Sequence, residues 1–425
     1  MHSPFLPSAG RFPFVWAVAI ENTFVPQTRA GHRSLDEYAL MGHDRLWRED
    51  IDRIAGLGVR AVRYGIPWHR VNPAPGRFDW SWTDLVLNHL VEVRGLTPII
   101  DLVHFGTPLW LENEFLAADY TERVADYARA FAERYQALTH HYTPLNEPSV
   151  TAIRSGRDGA WPPYRRGLPG YVAVLLAVNR GMIASVEAIR QVQPGAVMVH
   201  AEDVGIESAV TPDVARFAAL RQLERWLPLD IACGRFRPDH PLWSLFAQDP
   251  SNAEAFLKLA DRSIRWDVLG INYYPWSNRR WKRRLDGSIA FGRDQPGNAA
   301  LALGTLLRNV HDRYQIPVMV TETSAPGSIS KRLAWMDQAA RVAQAARLGG
   351  IPVVGLTWFP AFSMVDWRYR RSKRPMSEHL LHLGLWDVPF RSGDLKRVAT
   401  PLVAAYQNLV AGPVAEVGSG SRQGG

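Results

Sequence analysis

Eight short runs of apolar and β-branched residues recur along the chain. They are FVWAVAI (14–20), VRAVRYG (59–65), TPIIDLVH (97–104), HHYTPLN (140–146), AVMVHA (196–201), WDVLGIN (266–272), IPVMVTE (316–322) and PVVGLTW (352–358). Most are nearly continuous in apolar character rather than alternating. A parallel strand covered on both faces reads this way, because neither face meets water. Longer amphipathic stretches with helix-start signals lie between the runs. Thr121 precedes ERVADYARAFAERY, Ser330 precedes KRLAWMDQAARVAQAARL, and Thr400-Pro401 opens LVAAYQNLV. The glycines of LGV (57–59), GLTP (95–98) and GGIP (349–352) predict turns from helix to strand.

Eight strands alternating with helices predict an α/β fold, a single (β/α)8 TIM barrel over residues 1–411, with a small, polar, disordered tail at 412–425. A doubly wound open sheet fits less well. It calls for a glycine-rich phosphate loop after the first strand, and AIENTFVPQ offers none.

Composition adds little to this picture. With 425 residues, 47% of them hydrophobic, the chain can bury a large core. Its net charge is +8, but 49 basic and 41 acidic residues are interspersed without a long basic tail, so no nucleic-acid partner is expected. The single cysteine, Cys233, allows no internal disulfide. MHSPFLPSAGRF lacks the basic and apolar segments of a signal peptide, and the apolar stretch Pro13–Ile20 is too short to span a bilayer. A cytoplasmic protein without a membrane partner is expected; the oligomeric state is left open.

In a barrel, chemistry sits at the C-terminal ends of the strands. Strand four ends in Asn146-Glu147-Pro148 and strand seven in Thr321-Glu322-Thr323-Ser324. Two carboxylates facing one another across a barrel mouth are the minimum machinery for glycosidic-bond cleavage. One protonates the leaving oxygen; the other attacks the anomeric carbon or activates water. An amide beside the acid, Asn146, can hydrogen-bond a sugar 2-hydroxyl. Either Glu alone also reads as a loop starter or helix cap; the pair favours the functional reading.

These residues resemble family 1 glycoside hydrolases, the β-glucosidase group of retaining barrels. YTPLNEP resembles their acid/base motif and VMVTETSAPG their nucleophile motif, with Thr323 where the family usually has Asn. VRYGIPWHRVNPAPGRFDW, DLVHFGTPLWL, DVLGINYYPW and LTWFPAFSMVDW are similar to further family motifs in the same chain order. GAWPPYRRG and HAEDVG are similar to a divergent branch of these barrels. The resemblance implies that Glu147 is acid/base and Glu322 nucleophile in a retaining double displacement. It implies Arg63 beside the nucleophile, His104 on strand three, and Asn272 and Tyr274 supporting the nucleophile. Trp358 is implied to lie under the sugar, with Asp366 and Trp367 near its outer hydroxyls. The sequence departs from the family at strand one, where Phe24 has the spacing of a sugar-binding Gln, and Glu21 or Asn22 is the replacement. At strand eight the loop reads as one residue longer, with Asp366 for a Glu.

Each supporting residue has a plainer reading. Arg63 can form a structural ion pair with Asp101, and His104 and Tyr274 can be packed groups. Trp68, Trp110, Trp276 and Trp367 fall near strand ends and are candidates for an aromatic rim. Glu202 and Asp203 read slightly better as caps of the following helix than as substrate contacts. The basic loop DWRYRRSKRPMSE offers Arg368, Arg370, Arg371, Lys373 and Arg374 to an anionic sugar or acidic partner, and NRRWKRRLDG is similarly basic; solvated lids are the preferred reading. No cofactor and no metal is expected: His140 and His141 point to opposite faces of a strand, and no HExxH or Cys/His cluster occurs. The expected activity is a retaining β-glycosidase-like hydrolase acting on a carbohydrate or glycoside. The alternatives are a transglycosidase using the same residues and a non-hydrolytic sugar-binding barrel.

Overall fold

The computed structural model describes residues 3–7, 12–26, 29–293, 298–389 and 395–417. Each apolar run contains one strand: β1 (Val15–Ala19), β2 (Ala61–Gly65), β3 (Thr97–Asp101), β4 (His141–Thr143), β5 (Val197–Asp203), β6 (Val268–Asn272), β7 (Val318–Thr323) and β8 (Val353–Trp358). The strands are parallel, each pairs with its neighbours in sequence, and β8 pairs with β1 to close the barrel.

Strand alternation divides the core in two. Val15, Ala17, Ala61, Ile99, Val199, Val268, Met319 and Val354 form the cluster inside the barrel, together with Phe5 of the N-terminal segment. Val18, Val62, Ile100, Leu269, Val320 and Leu356 belong to the larger cluster shared with the helices. Strands with both faces in apolar contact account for the lack of clean alternation in the sequence. Toward the C-terminal ends, inward positions turn polar: Arg63 follows Ala61, Asp101 follows Ile99, and Asn272 ends β6. On β7 the register against β6 shifts between Val320 and Glu322, so that Glu322 pairs with Asn272. A bulge of this kind re-aims side chains at barrel rims.

Helix ends follow the sequence in outline. Thr400 Oγ1 accepts from Leu402 N–H and caps the helix Pro401–Ala411, as read. Two starts lie two residues upstream of the predicted ones. The N-cap of Tyr120–Tyr135 is Asp119, and Ser328 caps Ile329–Leu348 by accepting from Lys331 N–H. Gly58, Gly95 and Gly350 have φ of 79°, 65° and 86°, the left-handed turn conformation that only glycine adopts without cost. The helix Gly167–Val192 is long and apolar enough to cross a membrane, but 72% of its most apolar window is buried inside the protein, so its apolarity serves packing. The start of the expected disordered tail is docked: Ala415 N–H donates to Gln344 Oε1 at 2.7 Å, and Ala415 O accepts from Arg347 Nε at 2.6 Å. Residues 418–425 lie outside the described residues.

Candidate active site

Arg63 ends up at the centre of the barrel mouth, almost fully buried, so its charge needs carboxylates. Both readings of it hold at once. One terminal nitrogen donates to Glu322 Oε1, and the other donates to Asp101 Oδ2 at 2.8 Å and Asn146 Oδ1 at 2.7 Å. Asp101 also accepts from His104 Nδ1 at 2.8 Å, and the Asn146 amide N–H reaches His104 Nε2 at 3.2 Å. β2, β3, β4 and β7 are thereby tied together by one charged network. Asn146 is enclosed within it, its oxygen shared between Arg63 and Asn272, so it buttresses the site rather than standing open for a sugar hydroxyl.

Glu147 leaves this network on a strained backbone, with φ 44° and ψ 68° at the start of the short helix Pro148–Thr151. Left-handed geometry at a non-glycine residue persists where the surroundings enforce it, typically at functional sites. Glu147 N–H donates to Ala201 O, and Glu147 Oε1 accepts from Asn272 Nδ2 at 2.8 Å. Burial and then the neighbouring Glu322 push its carboxyl well above the ordinary range.

Glu322 is differently served: Tyr274 OH donates to its Oε2 at 2.6 Å, and Arg63 holds the other oxygen. Burial outweighs these contacts and moves its pKa up, with Arg63 the strongest opposing influence. Of the two carboxyls Glu147 is raised further, because the cation and the phenol both face Glu322. Asn272, expected beside the nucleophile, bonds the acid side instead. Its oxygen accepts from Thr321 Oγ1 at 2.7 Å, which turns its amide toward Glu147 and Asn146.

Both carboxylates open onto a cavity of about 680 Å³ lined also by Glu21, His104, Tyr274, Trp276, Phe359, Asp366 and Trp367. Glu21 occupies the corner that strand one leaves open, fixed by Thr23 N–H at 2.7 Å. Phe24 instead stacks on His69 with ring centroids 3.5 Å apart, and Asn22 packs over Gly65, where a Cβ would come within 1.8 Å of its amide. Asp366 reaches the cavity, but although burial works against ionisation, Arg368 holds it below the usual carboxylate range through backbone and guanidinium hydrogen bonds.

Trp358 is corrected by the structure. It is fully buried, donates its indole N–H to Leu383 O at 3.1 Å, and belongs to the cluster between barrel and helices. The alternation of β8 slips against β7, where Val318 pairs with Val353 but Met319 with Gly355, and beyond the slip Leu356 and Trp358 both face the helices. Phe359, the next residue, lines the cavity, with its ring parallel to His104 at 6.2 Å. Strict alternation from inward-facing Val354 points Trp358 into the barrel, so the slip in register hid Phe359 from the sequence. Of the four rim tryptophans, Trp276 and Trp367 line the cavity. Trp68 is buried and stacks on Tyr127, and Trp110 bonds Asn72 O.

Glu202 and Asp203 cap no helix; the next long helix begins at Ala215. Glu202 is buried behind the acid, accepts from Ser149 Oγ, and is pushed up to about 8 by burial. Asp203 is paired with Arg225 at 2.6 Å. In the basic eighth-strand loop Arg371 and Lys373 are exposed, and the other three cations are engaged. Arg370 is buried and donates to the carbonyls of Val25, Pro26 and Arg33, Arg368 is held by Asp366, and Arg374 pairs with Glu378.

The model of glycosyl hydrolase family 1 matches residues 10–288. Among curated relatives, β-glucosidase A of Thermotoga maritima is 27% identical over 305 residues, 67% of each chain. The 1,4-β-D-glucan glucohydrolase of Thermotoga neapolitana is 28% identical over 263 residues, and the match spans 60% of that protein. Thermostable β-glucosidase B of Thermobispora bispora is 25% identical over 374 residues, covering 78% of this chain and 75% of that one. In structure, the family 1 β-glucosidase of Thermotoga maritima superposes with TM-score 0.78 at 20% identity, over 94% of this chain and 98% of that one.

Proposed function

The chain belongs to glycosyl hydrolase family 1 and is thereby a glycoside hydrolase, and from that premise we propose that it cleaves β-glucosides by double displacement, with Glu147 as acid/base and Glu322 as nucleophile. The family match ends before β7, so the role of Glu322 rests on geometry. One observation carries the reading: two carboxyls line one cavity in unequal surroundings, Glu322 against Arg63 and Tyr274, Glu147 against only an amide.

In the first step Glu147, protonated, gives its proton to the glycosidic oxygen as Glu322 attacks the anomeric carbon. The C–O bond to the aglycone breaks and a glycosyl ester forms on Glu322. Tyr274 and Arg63 keep the attacking carboxylate ionised and oriented. In the second step Glu147, now ionised, takes a proton from water, which displaces Glu322 and releases the sugar with its configuration retained. The names of the relatives support a glucoside as substrate.

The test is a screen of aryl glycosides with wild type and Glu322→Ala. Turnover by wild type and loss in the variant are expected. Equal activity in both proteins would refute the assigned nucleophile.

A further inference from the structure

A second cavity of about 450 Å³ adjoins the first and shares Glu147 with it. Glu322 lines only the first cavity, so the sugar it attacks belongs there and the leaving group, protonated by Glu147, extends toward the second. The walls are unusually cationic. Arg154, Arg157, Arg221, Arg225 and Arg279 line the cavity. Their recorded carboxylate partners are four: Asp158, Asp203, Glu207 and Glu224. Glu147 adds no negative charge while protonated.

Arg154 and Arg279 line both cavities and each holds its carboxylate only at 3.5 Å, Arg154 on the exposed Asp158 and the more buried Arg279 on Glu207. Arg279 is the weaker-held of the two, because Glu207 is already engaged by Trp281 Nε1 at 2.7 Å and Arg225 Nε at 3.2 Å. Arg225, by contrast, has a 2.6 Å bond to Asp203 and a 2.8 Å bond to Ser277 O. Arg279 lines both cavities, as do Trp276, Phe291 and Glu147, so it stands where leaving group meets acid. Its guanidinium lies 5.0 Å from the Phe291 ring centre, and Trp276 stacks on Tyr274 beside it. Flat rings with an under-paired, partly desolvated guanidinium fit a planar group carrying a negative charge.

We propose that this second cavity selects an aglycone with an aromatic ring and an acidic substituent, read by Arg279. The proposal rests on the glycosidase reading of the site, and its test separates the two. The carboxylate bears no part in bond cleavage; it adds binding on the leaving-group side.

The probes are the S-linked, non-hydrolysable 4-carboxyphenyl thio-β-glucoside and its neutral isostere, the 4-carbamoylphenyl thio-β-glucoside, with calorimetric binding as the readout. The carboxylate is expected to bind about tenfold more tightly than the amide, the size of one charge-assisted hydrogen bond. Arg279→Gln should bring the ratio close to one, and Arg279→Lys should retain part of it. Raising ionic strength on wild type should shrink the ratio without any variant. Equal binding of the two compounds, no binding of the carboxylate, or a ratio unchanged in Arg279→Gln would overturn the proposal. Turnover of the O-linked carbamoylphenyl glucoside reports separately on the hydrolase reading, so an active enzyme indifferent to the carboxylate refutes only the selectivity.

Discussion

Asn272 donates its amide to Glu147 at 2.8 Å while pairing in strand register with Glu322. The residue that closes β6 therefore touches one carboxyl through its side chain and lies beside the backbone of the residue that carries the other. The hydrogen bond favours the ionised form of Glu147 and works against burial and the charge of Glu322. Removing it, in Asn272→Ala, should raise the Glu147 pKa further. The alkaline limb of the kcat/KM profile, where the acid loses its proton, is expected to move to higher pH. An unmoved limb would show that Asn272 does not govern this group.

Tyr274 gives the opposite handle. Its hydroxyl stabilises ionised Glu322, so Tyr274→Phe should raise the Glu322 pKa and shift the acid limb to higher pH. One lost hydrogen bond to a charged group corresponds to a drop of about tenfold in kcat/KM. A rate profile that keeps its acid limb would remove Tyr274 from the control of Glu322.

Arg63 is a point of stability as well as chemistry. Arg63→Met would leave Asp101 and Glu322 buried without their cation. Breaking a buried pair from one side costs about 3–5 kcal/mol. Urea unfolding of the variant should show a loss of that order together with inactivity. A fully stable variant would mean the network is dispensable to the fold.

Adjacent residues at the end of β8 should separate cleanly. Trp358→Phe removes packing and leaves Leu383 O without its indole donor. A loss of about 1–3 kcal/mol is expected, with KM little changed. Phe359→Ala removes a ring from the cavity wall and should raise KM by roughly tenfold, the scale of lost apolar contact in a pocket. The opposite pattern would restore Trp358 as the sugar platform.

Glu202 predicts a gain. Its folded pKa of about 8 lies above the ordinary value of 4.5. A group raised in this way lends stability that is complete below the unfolded pKa and is lost as pH rises toward the folded one. Glu202→Gln, which cannot ionise in either state, should match wild type near pH 4.5 and exceed it by about 3 kcal/mol at pH 7. Thermal melting at the two pH values measures this; no difference at pH 7 would rule out a protonated, buried Glu202.

The barrel was legible because its signal is local. Eight apolar runs, the glycine turns at Gly58, Gly95 and Gly350, and the Thr400 cap each depend on a few neighbouring residues. Strand-end position also singled out Glu147 and Glu322, since a polar group closing an apolar run is conspicuous, and the family resemblance pointed to Arg63 and Tyr274. Trp358 was misplaced because a bulky aromatic at a strand end looks like a sugar platform from either face, and the face depends on phase. Arg370 was read as a solvated cation because charge runs usually face water, whereas here three backbone carbonyls from a distant segment enclose it.

By itself, then, the chain's residue order determined which segments become strands and which carboxyls stand at their ends, because those properties follow from periodicity within one segment. Tertiary structure alone decided what each carboxyl faces. Only the closed barrel brings Arg63 and Tyr274 to Glu322 and Asn272 to Glu147. The burial of the mouth then raises both carboxyls, Glu147 further than Glu322. Those are interactions between segments up to 259 residues apart, and no pattern within a window records them.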